Sequence, residues 1–155
     1  MDAVLRRLAD ALGDLVLPVG CVACGGVDGP LCPVCARHAL HTEPSPVPPE
    51  FRPGGAAPAL CVAAGPYRGA LRSALLAYKE RGRRTLARPL GDRLAAAVSR
   101  AIGSAGPGGW VLVPVPSSAT AIRNRGGDHV ARLARCAANT LRQDGYDVVT
   151  APLLT

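Results

Sequence analysis

Four cysteines within residues 21–35 constrain the fold more than any other feature of this sequence. They form two CxxC pairs, Cys21 with Cys24 and Cys32 with Cys35, and seven residues separate the pairs. Structural zinc takes four thiolate or imidazole ligands in a tetrahedron, and a CxxC turn directs two thiolates at one ion. Glycines between the pairs supply the backbone freedom that such turns need. We therefore predict a structural zinc ion bound by these four cysteines.

Other interpretations of the four cysteines fit less well. A disulfide framework conflicts with a cytoplasmic location, and a thioredoxin-like redox site needs a single CxxC at the head of a helix. The gap between the pairs is shorter than the usual spacing, although seven extended residues span roughly 23 Å. His38 and His41 are substitute ligands if one cysteine does not bind. Four bound thiolates leave no open position, so the ion would stabilise the fold without catalysing a reaction.

Charge and composition narrow the class of partner. The chain has 18 basic and 11 acidic residues and a net charge of +7. This charge indicates phosphate-bearing partners, either nucleic acid or phosphorylated small molecules, although arginines that only solvate helix faces would produce it too. No targeting segment is visible, and no apolar run reaches the roughly 18 residues of a membrane span. We expect a cytoplasmic protein that does not insert into membranes.

Composition also divides the chain into three parts. Residues 1–41 comprise an amphipathic helix over 2–16 and the cysteine module. Residues 42–58 are rich in Pro and Gly, which predicts an extended linker and a domain boundary. Residues 59–155 alternate between strand and helix patterns, and this alternation builds a parallel sheet. The predicted fold class is therefore α/β, with a small zinc-binding module before a domain that contains a parallel sheet.

Hydrophobic periodicity places the elements of the second domain. They are a strand over 59–67, helices over 67–78 and 85–102, a strand over 110–116, a helix over 128–143 and a strand from 146. The strand over 110–116 is almost continuously apolar, as expected for a strand buried on both faces. Cys61, Trp110 and Cys136 lie in apolar patterns, and we predict that all three are buried.

A polar loop after the strand over 110–116 has the composition of an anion-binding loop. Its polar and glycine residues are Ser117, Ser118, Arg123, Arg125, Gly126 and Gly127. Helix N-termini offer unpaired amides to anions, glycines let the backbone approach a phosphate, and arginines add charge. Ligands of open α/β sheets bind beyond the carboxyl ends of the strands, where this loop lies. A plain connecting loop with solvated arginines is the alternative.

A basic turn joins the first two helices of the second domain. Its cations are Lys79, Arg81, Arg83, Arg84 and Arg88. They could bind a nucleic-acid backbone and, with the cysteine module, form a groove for single-stranded DNA. Aromatic residues are too few for a stacking platform, so such binding would be electrostatic and strongly salt-dependent. A solvated turn that caps helix C-termini is the alternative.

The order and spacing of several short motifs resemble those of a known family. The motifs are the two CxxC pairs, Tyr67-x-Gly69, Tyr78-Lys79 with Arg81-Gly82, and Pro114-Val115-Pro116 before Arg123-x-Arg125-Gly126. In this order they are similar to the competence protein F (ComF) family, and the similarity covers nearly the whole chain. That family resembles type I phosphoribosyltransferases with an N-terminal zinc ribbon. The resemblance implies a partial phosphoribosyltransferase-like domain after the zinc-ribbon module.

The resemblance also implies ligands and partners. The loop from Ser117 to Gly127 would contact the pyrophosphate of phosphoribosyl pyrophosphate, with Mg²⁺ as the accompanying ion if the chain is active. Several members of the family are linked to uptake of single-stranded DNA during natural transformation. Single-stranded DNA and proteins of the competence machinery are therefore the implied partners.

One motif that the resemblance leads us to expect is absent. Phosphoribosyltransferases carry two acidic residues before a Thr/Gly-rich turn, similar to DDVxTTGxT, and these hold the ribose and its phosphate. The nearest sequence here, Asp147-Val148-Val149-Thr150, lacks the second acid and the glycine turn. We therefore expect phosphoribosyl transfer to be absent or impaired, and the 155 residues to be a truncated product or a fragment.

Overall fold

The computed structural model describes residues 20–48, 60–103 and 108–153, apart from the side chain of Asn124. The helix predicted over 2–16 and most of the predicted linker lie outside these residues. The described part is a mixed structure of helices and two small sheets, one of which is parallel.

Helices dominate the described residues. The elements in chain order are α1 (Pro33–Leu40), β1 (Ser45–Pro46), β2 (Val62–Ala63), α2 (Gly69–Glu80), a 3₁₀ turn (Arg84–Leu86), α3 (Ala87–Gly103), β3 (Trp110–Leu112), α4 (Ala119–Arg125), α5 (His129–Gln143) and β4 (Val148–Thr150). The helices predicted over 67–78, 85–102 and 128–143 correspond to α2, α3 and α5 and are confirmed. Gly82, with a φ of 65°, turns the chain after α2.

The first predicted strand is shorter than expected and pairs differently. Of the described residues 60–67, only Val62–Ala63 forms a strand, and it pairs antiparallel with Ser45–Pro46. Cys61, which precedes this strand, is exposed, so the prediction that it is buried is wrong. A two-stranded ribbon of this length covers little surface, which leaves the neighbouring thiol in contact with solvent.

The second sheet confirms the predicted parallel pairing. Strands β3 and β4 run parallel, with Trp110 opposite Val148 and Leu112 opposite Thr150. Val111, in contrast, is 51% exposed. The prediction of a strand buried on both faces is therefore wrong. Alternate residues of a strand face opposite sides, and α3 and α5 pack against one side only of this two-stranded sheet.

Two apolar clusters hold the described elements together. The first joins α1, α2 and the start of α3 around Ala39, Tyr78 and Leu86. The second joins the end of α3 to α5 and the parallel strands, and Trp110 packs partly buried against it. Cys136 is also only partly buried, against the first cluster. The core consists mainly of alanine and leucine, so the helices can approach one another closely.

A buried arginine links α3 to the cysteine module. Arg93 is only 6% exposed, and its Nη1 donates a hydrogen bond of 3.1 Å to the carbonyl of Leu40, the last residue of α1. Burial lowers the pKa of Arg93 from the ordinary value. A cation at the carbonyl end of a helix is electrostatically favourable. This contact fixes the module to the helical body.

Among the described helices, α3 and α5 make the most extensive contact, and Gly91 permits their close approach. A Cβ atom at Gly91 would lie 2.3 Å from the Cβ of Cys136, well inside van der Waals contact. We predict that Gly91→Ala lowers the free energy of unfolding by about 2 kcal/mol, because the added methyl group forces the helices apart. Urea unfolding followed by circular dichroism measures this change.

Gly103→Ala is the matched control in the same helix. A Cβ atom at Gly103 has no neighbour within 4 Å among the described residues. The control should keep or slightly raise the stability, since alanine is the better helix former. Equal stability of the two variants would contradict a close contact at Gly91.

Candidate functional site

The four predicted zinc ligands lie together at the start of the described chain. The sulfur atoms of Cys21, Cys24, Cys32 and Cys35 all lie within 4.8 Å of one another, and those of Cys24 and Cys32 are 3.7 Å apart. Sulfur atoms bound to zinc at about 2.3 Å form a tetrahedron with edges of about 3.8 Å. All six cysteines are free. The cluster therefore has the ligand type and spacing of a structural zinc site.

Backbone hydrogen bonds build the first CxxC turn. The N–H of Cys21 donates to the carbonyl of Gly26 at 2.6 Å, and the N–H of Gly25 donates to the carbonyl of Cys21 at 2.8 Å. Gly25 has a φ of 79°, a backbone conformation that residues with a Cβ atom rarely adopt. A further bond of 3.0 Å from the N–H of Val22 to the carbonyl of Pro30 ties this turn to the chain that enters the second pair.

The second CxxC pair is positioned by helix α1. Cys32 precedes the helix, and its sulfur accepts a hydrogen bond of 3.5 Å from the N–H of Cys35. Pro33 occupies the start of the helix, where its missing N–H costs nothing. His38 and His41, the substitute ligands considered from the sequence, do not belong to the cluster. The cysteines alone fill a tetrahedral ligand set.

The thiols influence one another electrostatically. Burial acts to raise the pKa of Cys21, but hydrogen bonds from the backbone of Cys32, Ala23 and Cys24 outweigh it and lower that pKa to about 6. A hydrogen bond with the Cys32 sulfur, together with burial and the other sulfurs, raises the pKa of Cys35 to about 12. Charge on one sulfur thus opposes ionisation of its neighbours. A divalent cation among the four sulfurs would remove this repulsion and favour four thiolates.

A cleft lies between the first CxxC turn and the basic turn after α2, and we call it the knuckle cleft. Its volume is about 640 Å³. Its lining residues are Gly20, Cys21, Val22 and Gly25 on one side and Arg81, Gly82, Arg83, Arg84 and Thr85 on the other. Three arginines and no acidic residue are found among these lining residues, so the cleft suits an anion.

A smaller space, which we call the cationic cavity, lies behind the basic turn. Its volume is about 130 Å³, and it is lined by Tyr78, Lys79, Glu80, Gly82, Arg84, Arg125, Gly127, His129 and Arg132. The carboxylate of Glu80 accepts hydrogen bonds from Arg125 at 3.3 and 3.4 Å and lies 3.8 Å from Lys79. Four basic side chains thus line the cavity together with one carboxylate, and two of them, Lys79 and Arg125, lie against it. Lys79 faces this cavity and does not line the knuckle cleft.

Arg84 stands between the two spaces. It lines both of them, and its Nη2 donates a hydrogen bond of 3.1 Å to the carbonyl of Gly126. This bond connects the basic turn to the loop that was predicted to contact pyrophosphate. The two predicted sites, separate in sequence, therefore meet at one side chain.

The predicted pyrophosphate loop is largely helical. Residues 119–125 form α4, which was not predicted; Ser118 caps it by accepting a hydrogen bond of 3.2 Å from the N–H of Ala121. Arg123 donates to the hydroxyl of Thr120 at 3.2 Å. Gly126, with a φ of 66°, ends this helix. Of the predicted loop residues, Arg125 and Gly127 line the cationic cavity.

An acidic side chain occupies the start of α5. The carboxylate of Asp128 accepts hydrogen bonds from the amides of Val130 and Ala131 at 3.0 and 3.1 Å and from the hydroxyl of Ser117 at 3.2 Å. Burial acts to raise the pKa of Asp128, but these donors outweigh it and hold that pKa below its ordinary value. Asp128 therefore caps the start of α5, and Gly126 and Gly127 precede this cap.

No local pattern in the sequence indicates the cationic cavity. Its walls come from α2, the basic turn, the end of α4 and the start of α5, so Arg84 and Arg132 line one cavity only in the folded chain. The signal for the cap was present, since an aspartate before an apolar helical pattern is a common N-cap.

Comparison with protein-family models, with curated proteins and with solved structures finds no match to this chain. The fold and the site define a mixed helix-and-sheet protein with a four-cysteine cluster suited to a metal ion such as zinc. Among the described residues, no helix has the length and apolarity needed to cross a membrane.

Metal analysis tests the cysteine cluster. We predict about one equivalent of zinc in the purified protein, as expected for one closed tetrahedral site. Cys24→Ser should lower the zinc content and the melting temperature, because zinc binding and folding of such a site are coupled. Inductively coupled plasma mass spectrometry and thermal unfolding measure the two effects.

Cys61→Ser is the matched control, since Cys61 is exposed and lies outside the cluster. This variant should keep the zinc content and the melting temperature of the unaltered protein. A zinc content below about half an equivalent in the unaltered protein would contradict the predicted site.

Proposed function

We propose that this protein binds the sugar-phosphate backbone of single-stranded nucleic acid in the knuckle cleft, and that a zinc ion held by the four cysteines stabilises one wall of that cleft. The observation that carries this proposal is the position of Arg81, Arg83 and Arg84 opposite the first CxxC turn. Arginine is a preferred partner of phosphate oxygens, to which it can donate two parallel hydrogen bonds. The net charge of +7 would attract such a ligand over a longer range.

The zinc site contributes to binding through the shape of the cleft. Cys21, one of the four ligands, and Val22 line the cleft directly. Val22 and Leu31 also pack against the first apolar cluster. The module is thereby attached both to the metal site and to the helical body. Loss of the metal would free this wall and leave the arginines without their opposing surface.

The concave shape favours a flexible ligand. Double-stranded DNA is stiff, with a persistence length of about 150 base pairs, and would contact only the rim of a cleft of this size. A single strand can bend so that its phosphates enter the space between the two walls. The reducing cytoplasm, which we propose as the location, would keep the thiols available for zinc.

Salt dependence tests the proposed interface. Each phosphate neutralised in a single-stranded complex contributes a slope of about −0.7 to the plot of log K against log salt. We predict that Arg81→Gln weakens binding of a single-stranded oligonucleotide and reduces the magnitude of this slope by about 0.7. Fluorescence anisotropy over a salt series measures both quantities.

Arg135→Gln is the matched control, because it removes the same charge from an exposed position of α5 that does not line the cleft. This variant should change the slope little. Absence of oligonucleotide binding at low salt would end the proposal, as would equal effects of the two substitutions.

A second candidate function follows from the cationic cavity. We propose that it binds the diphosphate group of phosphoribosyl pyrophosphate, in line with the resemblance to the ComF family. The same resemblance leads us to propose proteins of the competence machinery as partners. Two observations support the proposed diphosphate binding. Arg125 and Gly127 line the cavity, and the segment that contains them connects the parallel strands β3 and β4 along the chain. The sequence contains no acidic motif similar to DDVxTTGxT, so we propose binding without efficient transfer.

Calorimetry with inorganic pyrophosphate tests this second candidate. We predict that Arg132→Gln weakens pyrophosphate binding about tenfold, because it removes one charge-assisted contact from the cavity. Arg135→Gln, one turn further along α5, should leave the affinity unchanged. Phosphoribosyl pyrophosphate with Mg²⁺ should yield no pyrophosphate above the buffer rate, and measurable release would show that the chain cleaves this compound and would contradict binding without turnover.

A further inference from the structure

We infer that the protein holds one unpaired base of the bound strand in an apolar groove beside the cationic cavity, where the ring of Tyr67 stacks on the base. This inference rests on the proposed binding of single-stranded nucleic acid and specifies how the strand is held. It differs from the expectation drawn from the sequence, which was purely electrostatic binding.

The groove, which we call the base groove, lies between α2 and α5. Its volume is about 410 Å³, and it is lined by Tyr67, Leu75, Leu76, Tyr78, Lys79, Glu80, His129 and Leu133. Leucine and tyrosine side chains make most of its wall, and polar groups are found towards Glu80 and His129. A planar, largely apolar ring with a polar edge matches this distribution.

Tyr67 is the aromatic side chain available for stacking. It is 61% exposed, whereas Tyr78 is buried and donates its hydroxyl to the carbonyl of His129 at 2.8 Å. The guanidinium of Arg72 lies 5.7 Å from the centre of the Tyr67 ring, a cation–π contact that orients the exposed ring. Stacking on an exposed aromatic ring is a common means by which proteins bind single strands.

His129 supplies a polar group between the groove and the cavity. It lines both spaces, and its Nδ1 is buried with no hydrogen-bond partner in the described part of the chain. Burial and the charges of Arg125 and Lys79 lower the pKa of His129, which favours the neutral imidazole. A neutral imidazole can donate or accept a hydrogen bond at the edge of a base.

The three spaces adjoin one another through shared lining residues. The base groove and the cationic cavity share Tyr78, Lys79, Glu80 and His129. The cavity and the knuckle cleft share Gly82 and Arg84. A strand can therefore run from the cysteine module past Arg84, place a phosphate in the cationic cavity and insert the adjoining base beside Tyr67. Charge complementarity along this path selects a nucleotide strand over an uncharged aromatic ligand.

Two oligomers of equal charge test the stacking contact. The first is oligothymidylate, and the second is an abasic oligomer of the same length that keeps every phosphate. We expect the unaltered protein to bind oligothymidylate about tenfold more tightly than the abasic oligomer. Tyr67→Leu should abolish this difference, and Tyr67→Phe, which keeps the ring, should retain it. The exposure of Tyr67 means that neither variant should change the melting temperature.

The controls separate this inference from the proposal on which it rests. Arg81→Gln should weaken both oligomers by the same factor, because it removes a phosphate contact only. Thymidine 5′-monophosphate should bind much more weakly than the oligomer, since one nucleotide cannot occupy the base groove and the knuckle cleft at the same time. Equal affinity for the mononucleotide and the oligomer would overturn the path.

Two further outcomes are distinct. Equal binding of the two oligomers by the unaltered protein, or a base preference that survives Tyr67→Leu, would overturn the stacking contact and leave the electrostatic interface standing. Failure of both oligomers to bind at low salt would overturn the interface and the stacking contact together.

Discussion

The structure of residues 20–41 depends on the proximity of four cysteine sulfurs. Within residues 20–41, the buried side chains are Cys21, Cys32 and Ala39, two of which belong to the cluster itself. A segment of this size cannot be held together by apolar burial alone. Thiolate ligation of one cation would supply the missing crosslink, and the module then presents Val22 and Leu31 to the helical body. With a cation bound, the position of this wall of the knuckle cleft would depend on sulfur ligation more than on burial of apolar side chains within the module.

Helix α3 connects the cysteine module to the rest of the described chain, because it packs in both apolar clusters. Its start belongs to the apolar cluster that contacts the module, and its end belongs to the cluster under the parallel strands. Gly91 allows the close contact with α5, and Arg93 reaches back to the carbonyl of Leu40. Because one helix connects both clusters, the basic turn that precedes it has a defined position relative to the CxxC turn. The cleft is a consequence of that arrangement.

The sequence predicted those features that residues close together along the chain determine. Apolar periodicity identified α2, α3 and α5 because each buries one continuous stripe. CxxC spacing identified the four-cysteine cluster because a short turn fixes the direction of both sulfurs. Helix α4 is too short to show a helical periodicity in its sequence. The exposure of Val111 and Cys61 depends on which other elements cover strand β3 and the residue before β2. The cationic cavity is lined by side chains from four elements: α2, the 3₁₀ turn, α4 and α5. No pattern along the chain encodes such a meeting.

The capped start of α5 determines what kind of anion binding is possible here. The amides of Val130 and Ala131 already donate to the carboxylate of Asp128, so they do not offer the donors that a phosphate receives at an uncapped helix. Anion affinity near this helix must therefore come from side-chain cations such as Arg84 and Arg132. Flexible cations recognise charge with less geometric precision than fixed amides, and salt screens them when they are exposed. These properties suit successive phosphates of a strand better than a single, tightly enclosed phosphate group.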